Sequence, residues 1–197
     1  MNILFHMYLS GADEELLVGN FMGDFVKGPL DNTYPPLIRQ GLLLHRKIDV
    51  FAQSNPSFQA SRLRLPTEYG LYRGVLVDLF YDHFLATEWT SCSETPFADY
   101  LVATRRIIDQ HLPIMPVALQ DFVPVIFNDL LPSYQTIPGI ERALRRMSRR
   151  RRRENPLAAG GAELSRYYHE LQGDFALFTP SVRRFVADFL ASSSPAD

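Results

Sequence analysis

The chain has 197 residues, of which 46% are hydrophobic and 12% aromatic, enough for one globular domain with a sizeable core and unlike a disordered segment. No apolar run reaches the ~18 residues of a membrane helix, and MNILFHMYLS has neither a positive leader nor a small-residue cleavage site, so a cytoplasmic protein without membrane attachment is expected. The formal net charge is −2 and the single cysteine is Cys92, which excludes an intrachain disulfide and a Cys-rich zinc site. Cys92 lies in the polar stretch TSCSETP with no base close in sequence and reads as structurally incidental.

Helical periodicity runs nearly throughout, without period-2 alternation. Ser10 with Asp13 has the spacing of a capping box and predicts a first long helix, closed by Gly28-Pro29. Pro35 and Pro36 suit the first turn of a second helix, and Asn55-Pro56 ends it and begins a short third. A fourth helix is expected from Thr67 and Gly70 through Trp89, and a fifth from Pro96 to before Pro113. Residues 117–131 predict a sixth, kinked or broken at Pro124. Residues 138–152 predict a basic seventh, NPLAAGG a short linker, and 162–178 and 180–191 the last two helices. With no internal repeat and no second composition regime, the expectation is a single all-α domain over residues 1–197, a helical bundle.

Three of these helices carry polar pairs inside apolar runs. Asn20 and Asp24 sit in LLVGNFMGDFV, His45 and Asp49 in LLLHRKIDVF, and Asp78, Asp82 and His83 in VLVDLFYDHFL. Each segment holds an i, i+4 pair, which projects from one helix face. Buried carboxylates need a partner, and a shared metal ion can serve several at once. Asp24, His45, Asp49, Asp78, Asp82 and His83 thus form a candidate ligand set for a metal-dependent hydrolase, with carboxylate and imidazole donors suited to Mn²⁺, Mg²⁺ or Fe²⁺. Each pair also has a structural reading: Asp24 with Lys27, His45 with Asp49 as a core pair, Asp78 accepting from a tyrosine. Three pairs in one small domain favour a site. His6, His111 and His169 read individually as structural.

Eighteen of the twenty basic residues are arginines, and seven of them lie between Arg145 and Arg153. Arginines at 142, 145, 146, 149, 150 and 153 recur every three or four residues, so one helix face is basic. An acidic protein partner or phosphorylated substrate ranks first as its target, a solvated face second, and nucleic acid third, because no aromatic residues interleave the run.

MNILFHMYLS, GNFMGDFVKG, GLLLHRKIDVF and LVDLFYDHFLATEW together resemble the bacterial acyl carrier protein phosphodiesterase family. The likeness is densest over residues 1–90 and returns near MSRRRRR and YYHELQGDFALFTP. It implies hydrolysis of the phosphodiester that joins 4′-phosphopantetheine to a serine of holo-acyl carrier protein, a divalent metal, manganese above all, and an HD-like fold. It further implies that Asp24 is an essential acid of the metal site. His45 and Asp49 match an HRxID pattern, Asp82 and His83 a DHF pattern, His6 an N-terminal histidine of the family, and Asn20 the residue of its GN before the aspartate. Arg46 is placed to stabilise charge on the phosphoryl group, with a surface salt bridge as its alternative. The arginine face from Arg142 to Arg153 then suits docking of the acidic carrier protein. The chain departs from the family at Tyr8 and Leu43, where histidines are frequent, and Asp82-His83 reverses the doublet of HD enzymes. The rival readings are an HD-like phosphohydrolase of small phosphorylated nucleotides and a non-enzymatic arginine-rich binding module.

Overall fold

A computed structural model describes residues 2–150 and 153–193, and every regular element among them is helical. In chain order these are α1 (Ile3–Leu9), α2 (Glu14–Met22), α3 (Pro36–Ser54), α4 (Pro56–Arg64), α5 (Tyr72–Thr87), α6 (Trp89–Cys92) and α7 (Phe97–Gln110). They continue as α8 (Val117–Gln120), α9 (Val123–Val125), α10 (Leu131–Ser133), α11 (Ile137–Arg150), α12 (Gly161–Arg166) and α13 (Tyr168–Ser193). The all-α expectation is borne out.

Several expected boundaries move, each for a local reason. The capping acceptor of α2 is Asp13, which takes Leu16 N–H at 2.8 Å. Ser10 donates instead to the His6 carbonyl, and the apolar segment before it forms a helix of its own. An additional helix, α1, thus precedes the expected first one, which is shorter than expected: α2 tightens into a 3₁₀ turn at Gly23–Phe25 instead of running to Gly28. The helix expected over residues 117–131 is interrupted at Asp121 and Phe122, just before Pro124, which occupies the first turn of α9; from there the chain continues through a π-helical stretch, Ile126–Leu130. NPLAAGG is a packed 3₁₀ turn around fully buried Leu157. Pro180 does not end a helix: α13 runs through it, and the carbonyl that Pro180 leaves without a partner belongs to exposed Ala176, where water can reach it.

The core centres on α5, which is buried nearly all round, as a helix without a polar face must be. Phe5 from α1, Tyr81 from α5, and Phe175 and Phe178 from α13 pack edge to face with ring centroids 5.5–5.9 Å apart. A buried polar tie joins α4 to α13: Ser61 Oγ and Arg64 Nε both donate to Asp174 Oδ2, at 2.9 and 2.8 Å.

What positions the site is the contact between α2 and α3. A Cβ on Gly19 would lie 2.0 Å from the Ile38 carbonyl oxygen, and one on Gly41 would lie 2.3 Å from that of Leu16. Only glycine at both positions lets the two backbones approach this closely. That approach brings the last turns of α2 against the middle of α3.

Candidate metal centre

His6 lies in the last turn of α1, Asn20 in α2, His45 and Asp49 one turn apart on α3, and Asp24 in the 3₁₀ turn that follows α2. Asn20 is fully buried and organises both imidazoles. Its side-chain Nδ2 donates to the His6 carbonyl and to Ser10 Oγ, at 2.8 and 2.9 Å, which fixes its Oδ1 as the acceptor facing His6 Nδ1 at 2.8 Å. Its backbone carbonyl accepts from His45 Nδ1, also at 2.8 Å. A carbonyl can only accept, so each ring carries its proton on Nδ1, and in the neutral form each Nε2 keeps a bare lone pair. Gly23 makes room for this arrangement, since a Cβ there would sit 2.2 Å from His45 Cγ.

Both Nε2 atoms face carboxylates. His6 Nε2 is 3.3 Å from Asp49 Oδ1, and His45 Nε2 is 3.5 Å from Asp49 Oδ2 and 3.7 Å from Asp24 Oδ1. Burial, with His45 alongside, lowers the His6 pKa to about 4. Burial works against ionisation of Asp24 and Asp49 too, yet the neighbouring imidazoles hold both carboxyls below their ordinary value. Neither side of the His6–Asp49 contact keeps a proton at neutral pH, so lone pair faces lone pair. His6 Nε2 is buried and makes no hydrogen bond. Such a set of acceptors can hold a cation: the ligand atoms of His6, His45 and Asp49 lie within 4.8 Å of one another. Asp49 and Asp24 are about half exposed, with side-chain exposures of 41% and 54%, so the cluster opens to solvent on their side. It opens into a cleft of about 400 Å³ walled also by Asn2, Gln53 and Asp78.

Comparison with known proteins bears on what such a cleft serves. The family described as acyl carrier protein phosphodiesterase matches residues 1–182. The chain belongs to that family. Acyl carrier protein phosphodiesterase of Serratia proteamaculans is 30% identical over 190 residues, 95% of this chain and 98% of the relative. The Yersinia pestis protein of the same name is 30% identical over 186 residues, covering 93% and 96%. No solved structure matches the chain. The cluster of His6, His45, Asp49 and Asp24 thus lies inside the part of the chain that matches an enzyme family.

The other expected site residues of this family member lie apart from the cluster or beside it. Asp78 lines the cleft, and burial pushes its carboxyl up. Asp82 points the other way: its two oxygens accept the Leu4 and Phe5 N–H groups, both at 3.0 Å, and cap the start of α1. His83 spends Nδ1 on the Tyr134 carbonyl at 2.7 Å and Nε2 on Tyr168 Oη at 3.2 Å. The structure therefore does not bring Asp82 and His83 to the cluster. Arg46 donates to the Val26 and Gly28 carbonyls, at 3.3 and 2.7 Å, and so clasps the loop that follows Asp24. In the basic run, Arg146 pairs with Asp129, Arg145 with Glu141, and Arg150 stacks over Phe122. Arg142 and Arg149 are exposed, and Arg151 and Arg152 lie outside the described residues. The orienting role of Asn20 and the clearances at Gly19, Gly23 and Gly41 are absent from the sequence expectations. The signals in the sequence were the polar Asn20 inside an apolar run and a set of glycines in the same helical segments.

Proposed function

We propose that this chain is a cytoplasmic, divalent-metal-dependent phosphodiesterase, a single all-α hydrolase unit, that releases 4′-phosphopantetheine from holo-acyl carrier protein. The observation that carries the reading is the pair of Nδ1-protonated imidazoles, His6 and His45, whose Nε2 lone pairs converge on Asp49. The naming of the relatives supports the carrier protein as substrate. One core cluster containing residues from α1 to α13 supports a single unit.

His6, His45 and Asp49 would hold the ion; this mixed imidazole and carboxylate set suits Mn²⁺, Mg²⁺ or Fe²⁺ alike, and the family resemblance is what points to Mn²⁺ among them. Such an ion, when bound, supplies Lewis-acid polarisation of the phosphoryl oxygens and a water of lowered pKa. Asn20 keeps both rings in the ligating tautomer and orientation. Asp24, ionised at the rim, accepts a proton from the attacking water, whose oxygen forms the new bond to phosphorus as the bond to the serine oxygen breaks. The serine oxygen takes up the proton that Asp24 received and leaves as a hydroxyl, giving apo-carrier protein and 4′-phosphopantetheine. Arg46 acts as a positioning residue by holding the loop behind Asp24. The exposed arginines of α11, Arg142 and Arg149 among them, suit docking of an acidic carrier protein. The HD doublet is not used in this scheme, because Asp82 and His83 are engaged elsewhere.

Intact-mass analysis of holo-acyl carrier protein, incubated with this protein and Mn²⁺ beside a chelated control, tests the reading. Metal-dependent loss of the phosphopantetheine mass is the expected result. An unchanged mass with folded, metal-loaded protein would overturn it.

A further inference from the structure

The cleft beside Asp24 does not end there. A second cavity, of about 190 Å³, adjoins it and shares Asn2, Asp24 and Met147 as walls. It runs under α11, between Phe25, Phe122, Leu130 and Ala143, with Arg146 and Arg150 at its edge. We propose that this slot receives the pantetheine arm of the substrate while the phosphodiester lies at the junction by Asp24, an inference that rests on the phosphodiesterase reading above.

The chemistry of the two cavities differs in the way that substrate requires. The first is walled by Asp24, Asp49 and Asp78, which suits a cation and a phosphoryl group. The second is walled mainly by apolar side chains, which suits an uncharged chain. The pantetheine arm is such a chain: it carries a gem-dimethyl carbon, two amides and a thiol, and its charge is confined to the phosphate. The slot is smaller than the roughly 300–1,000 Å³ that encloses a drug-sized ligand, so it takes a stretch of the arm while the rest extends into the adjoining cleft. Its arginines are already held in place, Arg146 by Asp129 at 2.5 Å and Arg150 with its guanidinium 3.9 Å from the Phe122 ring centroid. Each guanidinium has five N–H donors, more than these contacts use, and amide carbonyls are matching acceptors. Because the phosphate is the end of the arm nearest the carrier serine, the carrier protein itself stays outside, at the open mouth beside Asp24.

The test compares binding of 4′-phosphopantetheine and of inorganic phosphate to the Mn²⁺-loaded protein by calorimetry. The arm should add at least about tenfold in affinity over phosphate. Ala143→Leu, which fills the slot from its wall, should remove that preference while phosphate still binds. Met147→Trp narrows the junction from a partly buried position and decides the matter in case Ala143→Leu does not fold by circular dichroism. Equal affinity for the two ligands in the wild type, or a preference that survives in the folded slot variants, would overturn the inference. Cleavage of holo-carrier protein by the wild type checks the underlying reading separately. Cleavage without arm preference removes the slot alone, whereas arm preference without cleavage removes the reading and leaves the binding site.

Discussion

The rings of His6 and His45 stack with their centroids 3.8 Å apart and their planes 15° from parallel. They come from α1 and α3, and Asn20 of α2 takes the Nδ1 proton of each. Two cationic rings could not share this contact, and burial drives His6 to the neutral form. The stack is therefore a pair of nitrogen donors set side by side, with both Nε2 atoms turned to Asp49. A core histidine satisfied on both nitrogens has no need of such an arrangement; His83, bonded at Nδ1 and Nε2, is the example within the same chain.

Asn20→Ala should separate orientation from ligation. It removes the acceptor for His6 Nδ1 and the two bonds from Nδ2, and leaves the backbone carbonyl that accepts from His45. Mn²⁺ affinity, measured by calorimetry or by the paramagnetic signal of free Mn²⁺, should fall about 10–100-fold, as when the supporting partner of a ligating histidine is lost. Unchanged affinity in a folded variant would take Asn20 out of the site.

Asp49→Asn and His83→Gln should give opposite patterns. Asp49 supplies the carboxylate that both Nε2 atoms face, so its amide variant should lose at least about a hundredfold in Mn²⁺ affinity, more than a supporting residue costs. His83 is bonded to Tyr134 and Tyr168, so His83→Gln should cost roughly 1–3 kcal/mol of stability from buried groups left unmatched and leave Mn²⁺ affinity within about twofold. Loss of Mn²⁺ binding in a stably folded His83→Gln protein would restore it as a ligand.

These two residues also show where sequence reasoning reached and where it stopped. His45 and Asp49 are i, i+4 on α3, a helix with an exposed face, so their spacing placed both on one side correctly. Asp82 and His83 have the same appearance in sequence, acid and imidazole within an apolar run, but α5 is buried nearly all round. On such a helix a polar side chain meets another helix, and it is there to satisfy backbone groups such as the Leu4 and Phe5 N–H. Periodicity distinguishes faces only when one of them is wet. The contribution of His6 was legible only through resemblance, since its partners Asn20 and Asp49 arrive through the Gly19–Gly41 contact, and close approach of two backbones leaves no periodic signature.

Asp82 predicts a pH dependence of stability. Burial pushes its carboxyl up to about 8, against two backbone N–H bonds that favour the anion. The unfolded chain loses this proton near pH 4, so between there and about 8 the folded state holds more protons, and stability falls as pH rises. His6 pulls the opposite way, but only below its unfolded value, where folding must strip its proton. Between about pH 6.5 and 8 the opposing His6 contribution has largely ended, the Asp78 carboxyl, also pushed up by burial, acts in the same sense, and the Asp82 share amounts to roughly 2 kcal/mol. Urea unfolding of the metal-free protein across that window should show the decline. Asp82→Asn should flatten it, at a cost of about 1–3 kcal/mol because an amide nitrogen must then face the Leu4 or Phe5 N–H. The same slope in both proteins would assign the titration elsewhere.

The arginines of α11 divide by what they touch. Arg145 and Arg146 are paired with acids of this chain, and Arg150 lies on Phe122, whereas Arg142 and Arg149, exposed like Arg145 and Arg150, have no such partner among the described residues. Exposed charges act at range on encounter more than on bound-state affinity, so Arg142→Glu with Arg149→Glu should lower kcat/KM for holo-carrier protein by about tenfold or more at low salt and leave kcat near the wild-type value. The wild-type rate should fall as salt screens the field over roughly 10 Å at 0.1 M, and the double variant should lose most of that dependence. A slender free product such as 4′-phosphopantetheine, bound at the Asp24 junction, should be almost indifferent to both changes. Equal salt slopes for the wild type and the double variant would mean that the carrier protein approaches over some other face.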